Sequence, residues 1–115
     1  MPLIKVQVSE AIESSVQDEL MKTLSREIVG IIGKPESYMM VTFEKTAVMM
    51  GGTDAPAAFI EIRSIGGLTP EVNRNISDKL GSILQSKLNI PSERIYINFT
   101  DIARTHWGWN RSTFG

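Results

Sequence analysis

Lys34-Pro35-Glu36-Ser37-Tyr38-Met39-Met40-Val41-Thr42-Phe43 and Ile90-Pro91-Ser92-Glu93-Arg94-Ile95-Tyr96-Ile97-Asn98-Phe99 read as two versions of one segment, 56 residues apart. The same shift carries Ile4 onto Ile60 and Val6 onto Ile62. It then carries Val16 onto Val72, Leu20 onto Ile76, Leu24 onto Leu80, Ile28 onto Leu84 and Ile32 onto Leu88. Residue class is matched position by position, so the simplest reading is one unit present twice, over about 2–45 and 57–101, followed by a tail over 102–115.

Within each unit the apolar period changes from two to about 3.6 and back, the pattern of strand, helix, strand. Ile4, Val6 and Val8 alternate with Lys5 and Gln7, and Val16, Leu20, Leu24, Ile28 and Ile32 then follow at near four-residue spacing. Gly33 and Pro35 mark the end of the first helix. Thr69-Pro70-Glu71 opens the second with a capping hydroxyl, a proline in the first turn and an acid suited to the helix dipole, and Asn89 and Pro91 close it. The right-handed crossover rule joins two such units into one four-stranded mixed sheet with both helices on one face, an α+β fold. Ile4, Val6, Met39, Val41, Phe43, Ile60, Ile62, Ile95, Ile97 and Phe99 fall on the helix side. Leu3, Lys5, Met40, Thr42, Phe59, Glu61, Tyr96 and Asn98 fall on the other, a surface too apolar to stay open to water, so association of copies is expected.

The length of 115 residues at 42% hydrophobic composition suits one domain over 1–115. Twelve basic against thirteen acidic residues leave a net charge of -1, with no field to attract nucleic acid or an anionic membrane. There is no cysteine and one histidine, so thiolate redox chemistry and a zinc site are not expected. Neither a leader peptide nor a membrane span is evident, which makes a cytoplasmic location the default.

Met1-Pro2 is the first candidate for chemistry. Removal of Met1 would leave Pro2 as a free secondary amine, and burial beside a cation would bring such a group toward neutrality, where a general base works best. On its own, a Met-Pro start carries little weight. Lys34 suits a helix C-terminus as well as it suits a substrate anion. Gly51-Gly52 and Gly66-Gly67 read as turns. Trp107, Trp109 and Phe114 crowd the last nine residues, either as packing for the tail or as the wall of an apolar pocket. His106 receives no role.

Met1-Pro2, Gly33-Lys34-Pro35, Gly51-Gly52, Ser64-Ile65-Gly66, Asn73-Arg74, Arg94-Ile95-Tyr96-Ile97-Asn98 and Gly108-Trp109-Asn110-Arg111-Ser112-Thr113-Phe114, in this order, together resemble the macrophage migration inhibitory factor family of the tautomerase superfamily. The resemblance spans essentially the whole chain. It implies a homotrimer with active sites at subunit interfaces and a cofactor-independent keto-enol tautomerase acting on phenylpyruvate-like 2-oxo acids. By the same resemblance Pro2 is the general base, Lys34 binds the substrate carboxylate, and the Ile65 N–H binds carboxylate or enol oxygen. Tyr96 and Asn98 of a neighbouring chain, with Trp109 and Phe114, enclose the ring. Trp107 departs from the smaller aliphatic residue of animal members at the pocket mouth. Ala57-Ala58-Phe59-Ile60 stands where those members carry Cys-x-x-Cys, so a thiol oxidoreductase activity is not expected.

The alternative is a binding or signalling protein of the same family whose pocket is weakly active or vestigial. Hydration or dehalogenation of a small unsaturated acid is disfavoured, because superfamily enzymes of that kind place arginines near the proline, whereas Leu3, Ile4 and Lys5 follow it here. A ferredoxin-like RNA-binding domain is disfavoured by the absence of paired sheet aromatics and a basic surface.

Overall fold

In a computed structural model that describes residues 1–115, both units fold as the periodicities require. Strand β1 (Leu3–Val8) leads into helix α1 (Ser14–Ile32) and returns as β2 (Met40–Lys45). Strand β3 (Ala58–Ser64) leads into α2 (Pro70–Leu88) and returns as β4 (Ile95–Asp101). The sheet order is β2-β1-β3-β4. Each unit pairs its own strands in parallel, and β1 and β3 join the units antiparallel. A short hairpin, β5 (Gly108–Trp109) and β6 (Ser112–Thr113), ends the chain.

The two helices bury Leu20, Leu24, Ile28 and Ile32 from α1 and Ile76, Leu80 and Leu84 from α2 against Ile4, Val6, Val8, Ile60 and Ile62 of the two inner strands. Each such aliphatic side chain contributes about 1.5–3 kcal/mol on leaving water. Met39, Val41, Phe43, Ile95, Ile97 and Phe99, on or beside the edge strands, are partly buried against the same core. On the opposite face Met40 is 61% and Tyr96 65% exposed, as the alternation foretold.

The helix ends also repeat. Gly33 (φ 80) and Asn89 (φ 56) both cap in the left-handed conformation, and a single 3-10 turn follows each, Glu36–Tyr38 and Ser92–Arg94. The helix starts differ, for Thr69 accepts the Val72 N–H at 3.1 Å whereas Glu13 makes no side-chain cap.

Candidate active site

Because β1 lies between β2 and β3, its first residues sit where β2 begins and β3 ends. Leu3 is opposite Met40 on one side and Arg63 on the other, and the Pro2 carbonyl accepts the Met40 N–H at 3.1 Å. Pro2 is thus buried and held at the sheet end by the ladder itself. It borders a cleft of about 570 Å³ shared with Met1, Tyr38, Met40, Arg63 and the C-terminal tail.

The tail supplies the aromatic wall. Asn110 (φ 49) and Arg111 (φ 65) turn the hairpin, both in the left-handed region that a two-residue primed turn requires. The Phe114 N–H returns to the Trp107 carbonyl at 3.2 Å. Trp109 and Phe114 stack at 5.3 Å with an 8° interplanar angle, and Tyr38 stands edge-on to both at 5.6 and 6.1 Å. Such a cluster offers a flat apolar surface with geometric preference for a ring. Trp107 lines the same cleft, half-buried.

Lys34 leaves the Gly33 cap and its Nζ donates to the Ile65 carbonyl at 2.8 Å, uniting two residues 31 positions apart. The loop that presents Ile65 is fixed by Ser64 Oγ donating to the Gly66 carbonyl at 2.7 Å and by the Gly66 N–H donating to Asp101 at 2.8 Å. Gly67 (φ 82) packs so closely on α1 that an added Cβ would lie 2.9 Å from Ile32 Cγ2. The Ile65 N–H itself donates to no protein acceptor.

Lys34 and Ile65 do not border the aromatic cleft directly. Met1 connects the two regions: it lines the cleft, and its α-amino group lies in the field of Lys34. Burial first, and the Lys34 charge second, hold that amine below its ordinary value of 8.0. The Met1 amine is therefore biased toward its neutral, basic form.

Tyr96 and Asn98 lie on β4, the far edge strand, exposed on the face away from the helices and outside the cleft of their own chain. Tyr38, Arg63, Ile102 and His106 are among the lining residues that carry no site signal in the sequence. No group of three or more histidine, aspartate or glutamate side chains is gathered anywhere, and no helix is long and apolar enough to cross a membrane.

A buried proline at the first strand, a lysine locked to the Ser-Ile-Gly loop and an aromatic C-terminal hairpin coincide with a family match over residues 1–115, to the model described as macrophage migration inhibitory factor. The chain belongs to the macrophage migration inhibitory factor family. A homolog of this factor from Trichuris trichiura is 43% identical over 101 residues, covering 87% of this chain and 89% of the relative. The factor from Xenopus laevis is 32% identical over 115 residues, covering 99% of each. Among solved structures, the migration inhibitory factor homologue of Prochlorococcus marinus superposes with a TM-score of 0.94 at 33% identity, covering 98% of this chain and 99% of that one. The doubled β-α-β architecture is thus that of the migration inhibitory factor family, within the tautomerase-superfamily fold.

Proposed function

We propose that this protein is a cofactor-independent keto-enol tautomerase of phenylpyruvate-like 2-oxo acids, with Pro2 as its general base once Met1 is removed. The observation that carries the reading is the burial of Pro2 at the border of an aromatic cleft, next to a Met1 amine that burial and Lys34 hold toward its neutral form. In ketonisation Pro2 takes the enol O–H proton, the C2–O bond becomes a carbonyl, and the C2=C3 electron pair takes a proton at C3 from the resulting secondary ammonium. One proton moves from oxygen to carbon and the base is restored. Lys34 and the open Ile65 N–H stabilise the negative charge that develops on the substrate oxygens. Tyr38, Trp109 and Phe114 hold the ring, and Trp107 narrows the mouth.

The apolar open face of the sheet supports assembly as a homotrimer, in which Tyr96 and Asn98 of one subunit close the cleft of the next. A cytoplasmic location goes with this reading. The Pro2→Gly variant is expected to lose about 100-fold or more of phenylpyruvate ketonisation, the scale of one positioned general base. Activity unchanged in that variant would remove Pro2 from the mechanism.

The pH profile carries a sign. If the Pro2 amine shares the lowering found at the Met1 amine, it stays neutral to lower pH, so kcat/KM should hold down to a pH below that of an ordinary α-amine and then fall as Pro2 is protonated. Lys34 is the smaller of the two causes at the Met1 amine; acting likewise on Pro2, its loss in Lys34→Gln should move the acid limb to higher pH without reaching the ordinary position. An unmoved limb would show that Lys34 does not act on the base.

The names of the curated relatives favour a second reading, a binding or signalling protein with a vestigial pocket. It gains if Met1-free protein turns over no 2-oxo acid enol.

A further inference from the structure

Among the side chains lining the aromatic cleft, one carries a permanent positive charge, and it is Arg63 rather than Lys34. Arg63 ends the exposed row of β3 and lies across the ladder from Leu3, one residue from Pro2. In the sequence Leu3, Ile4 and Lys5 follow the proline, with no arginine near it. The antiparallel β1–β3 register brings one there from 61 residues away.

The environment of Arg63 leaves its donors open. Its nearest anion is Glu61, with Oε1 3.5 Å from Arg63 Nη2, and the other oxygen of the same carboxylate lies 3.7 Å from Lys5 Nζ. One carboxylate between two cations leaves an excess positive charge, and exposed pairs at such distances hold a side chain only loosely. No guanidinium N–H of Arg63 makes a hydrogen bond to the protein, in contrast to the ion-pair contact with Glu61. Arg94 is the contrast: its guanidinium donates four hydrogen bonds of 3.0–3.2 Å, to the carbonyls of Pro56, Met50, Thr53 and Ala55. Arg94 is a structural clamp, whereas Arg63 presents an unused planar fork beside an apolar cleft. A guanidinium fork matches a carboxylate in two parallel hydrogen bonds.

We propose that Arg63 receives the carboxylate of an aromatic acid in this cleft, holding it from the sheet side while the ring packs on Tyr38, Trp109 and Phe114. The proposal rests on the reading of the cleft as a 2-oxo acid site and refines it. Acid recognition is divided between Arg63, which is open, and Lys34, whose ammonium is already anchored to the Ile65 carbonyl.

The test is a tryptophan-fluorescence titration of Met1-free protein with 3-phenylpropanoate and with its neutral amide, alongside steady-state kinetics on phenylpyruvate. The wild type should bind the acid more tightly than the amide. Arg63→Gln should weaken acid binding about tenfold or more while leaving amide binding in place, which also reports that the cleft is intact. Arg63→Lys, which keeps the charge without the fork, should recover part of the loss. In the kinetics Arg63→Gln should raise KM by a similar factor with a smaller change in kcat. Acid binding unchanged in Arg63→Gln, or no preference for the acid in the wild type, would overturn the proposal. The titration needs no turnover, so it stands apart from failure of Pro2 as a base.

Discussion

At one end of the sheet α1 leaves through Gly33 and Lys34 into a 3-10 turn that presents Tyr38; at the other α2 leaves through Asn89 and Ile90 into a 3-10 turn that presents Arg94. The backbones correspond and the side chains do not. Ile90 is fully buried in the core where Lys34 stays half-buried and reaches Ile65. The Ser9 N–H, equivalent to that of Ile65, is bonded to the Ala57 carbonyl at 3.0 Å, and the Ala57 N–H returns to Ser9 Oγ at 2.9 Å. Arg94 gathers the loop ahead of β3, so the second end is closed by hydrogen bonds, while the first keeps an unpaired N–H, a guanidinium held only by a loose ion pair with Glu61, and an aromatic cleft. The duplicated unit thus supplies two similar frames, one satisfied internally and the other left with donors for a ligand.

Removing the clamp should produce the largest effect on stability. Arg94→Leu leaves four carbonyls without their donor, and an expected loss of about 3 kcal/mol can be read from urea unfolding. Ligand binding at the opposite end should change by less than twofold, and a matching loss of cleft affinity would show that the ends are not independent.

Gly67→Ala comes next. A residue there must hold a left-handed φ and push on Ile32, at about 2 kcal/mol, whereas Gly66→Ala meets nothing within 4 Å and should lose about 1 kcal/mol. Equal melting temperatures for the two variants would refute the close packing of the Ser-Ile-Gly loop on α1.

The smallest contrast concerns the helix starts. Thr69→Ala should lose about 1 kcal/mol, and Glu13→Ser should gain about half of that by supplying the cap that α1 lacks. Circular-dichroism melts that move in the same direction for both variants would contradict this assignment.

Much of this frame can be read directly from the chain. The αL caps at Gly33 and Asn89, the prolines two residues beyond each, and the alternation on either side of Lys5 and Glu61 are local signals, each with a local cause. The cleft is less legible because it is assembled by register. Arg63 reaches Pro2 only through antiparallel pairing of strands from different units, which no short window of sequence specifies. Tyr38 sits in a three-residue turn without a periodic pattern, and its counterpart in the repeat is an arginine. The terminal hairpin was readable only as a docked tail, since its strands are two residues long and Asn110-Arg111 is not the usual Asn-Gly turn. Pro2, Lys34, Trp107, Trp109 and Phe114 are visible as candidates in the sequence itself, but their roles, and Ile65 altogether, come only through the family resemblance. The structure gathers Pro2 with the tail aromatics and Lys34 with Ile65, joined through Met1, and leaves Tyr96 and Asn98 on the far edge strand.

Pro2 can act as a base only with a free nitrogen, so the most direct measurement compares the two forms of the chain, with and without Met1, separated and identified by intact mass, in phenylpyruvate ketonisation. The Met1-free form should carry essentially all of the activity, and the Met1-bearing form, whose proline nitrogen is an amide, should carry almost none. Equal rates from the two forms would contradict the assignment of Pro2 as the catalytic base.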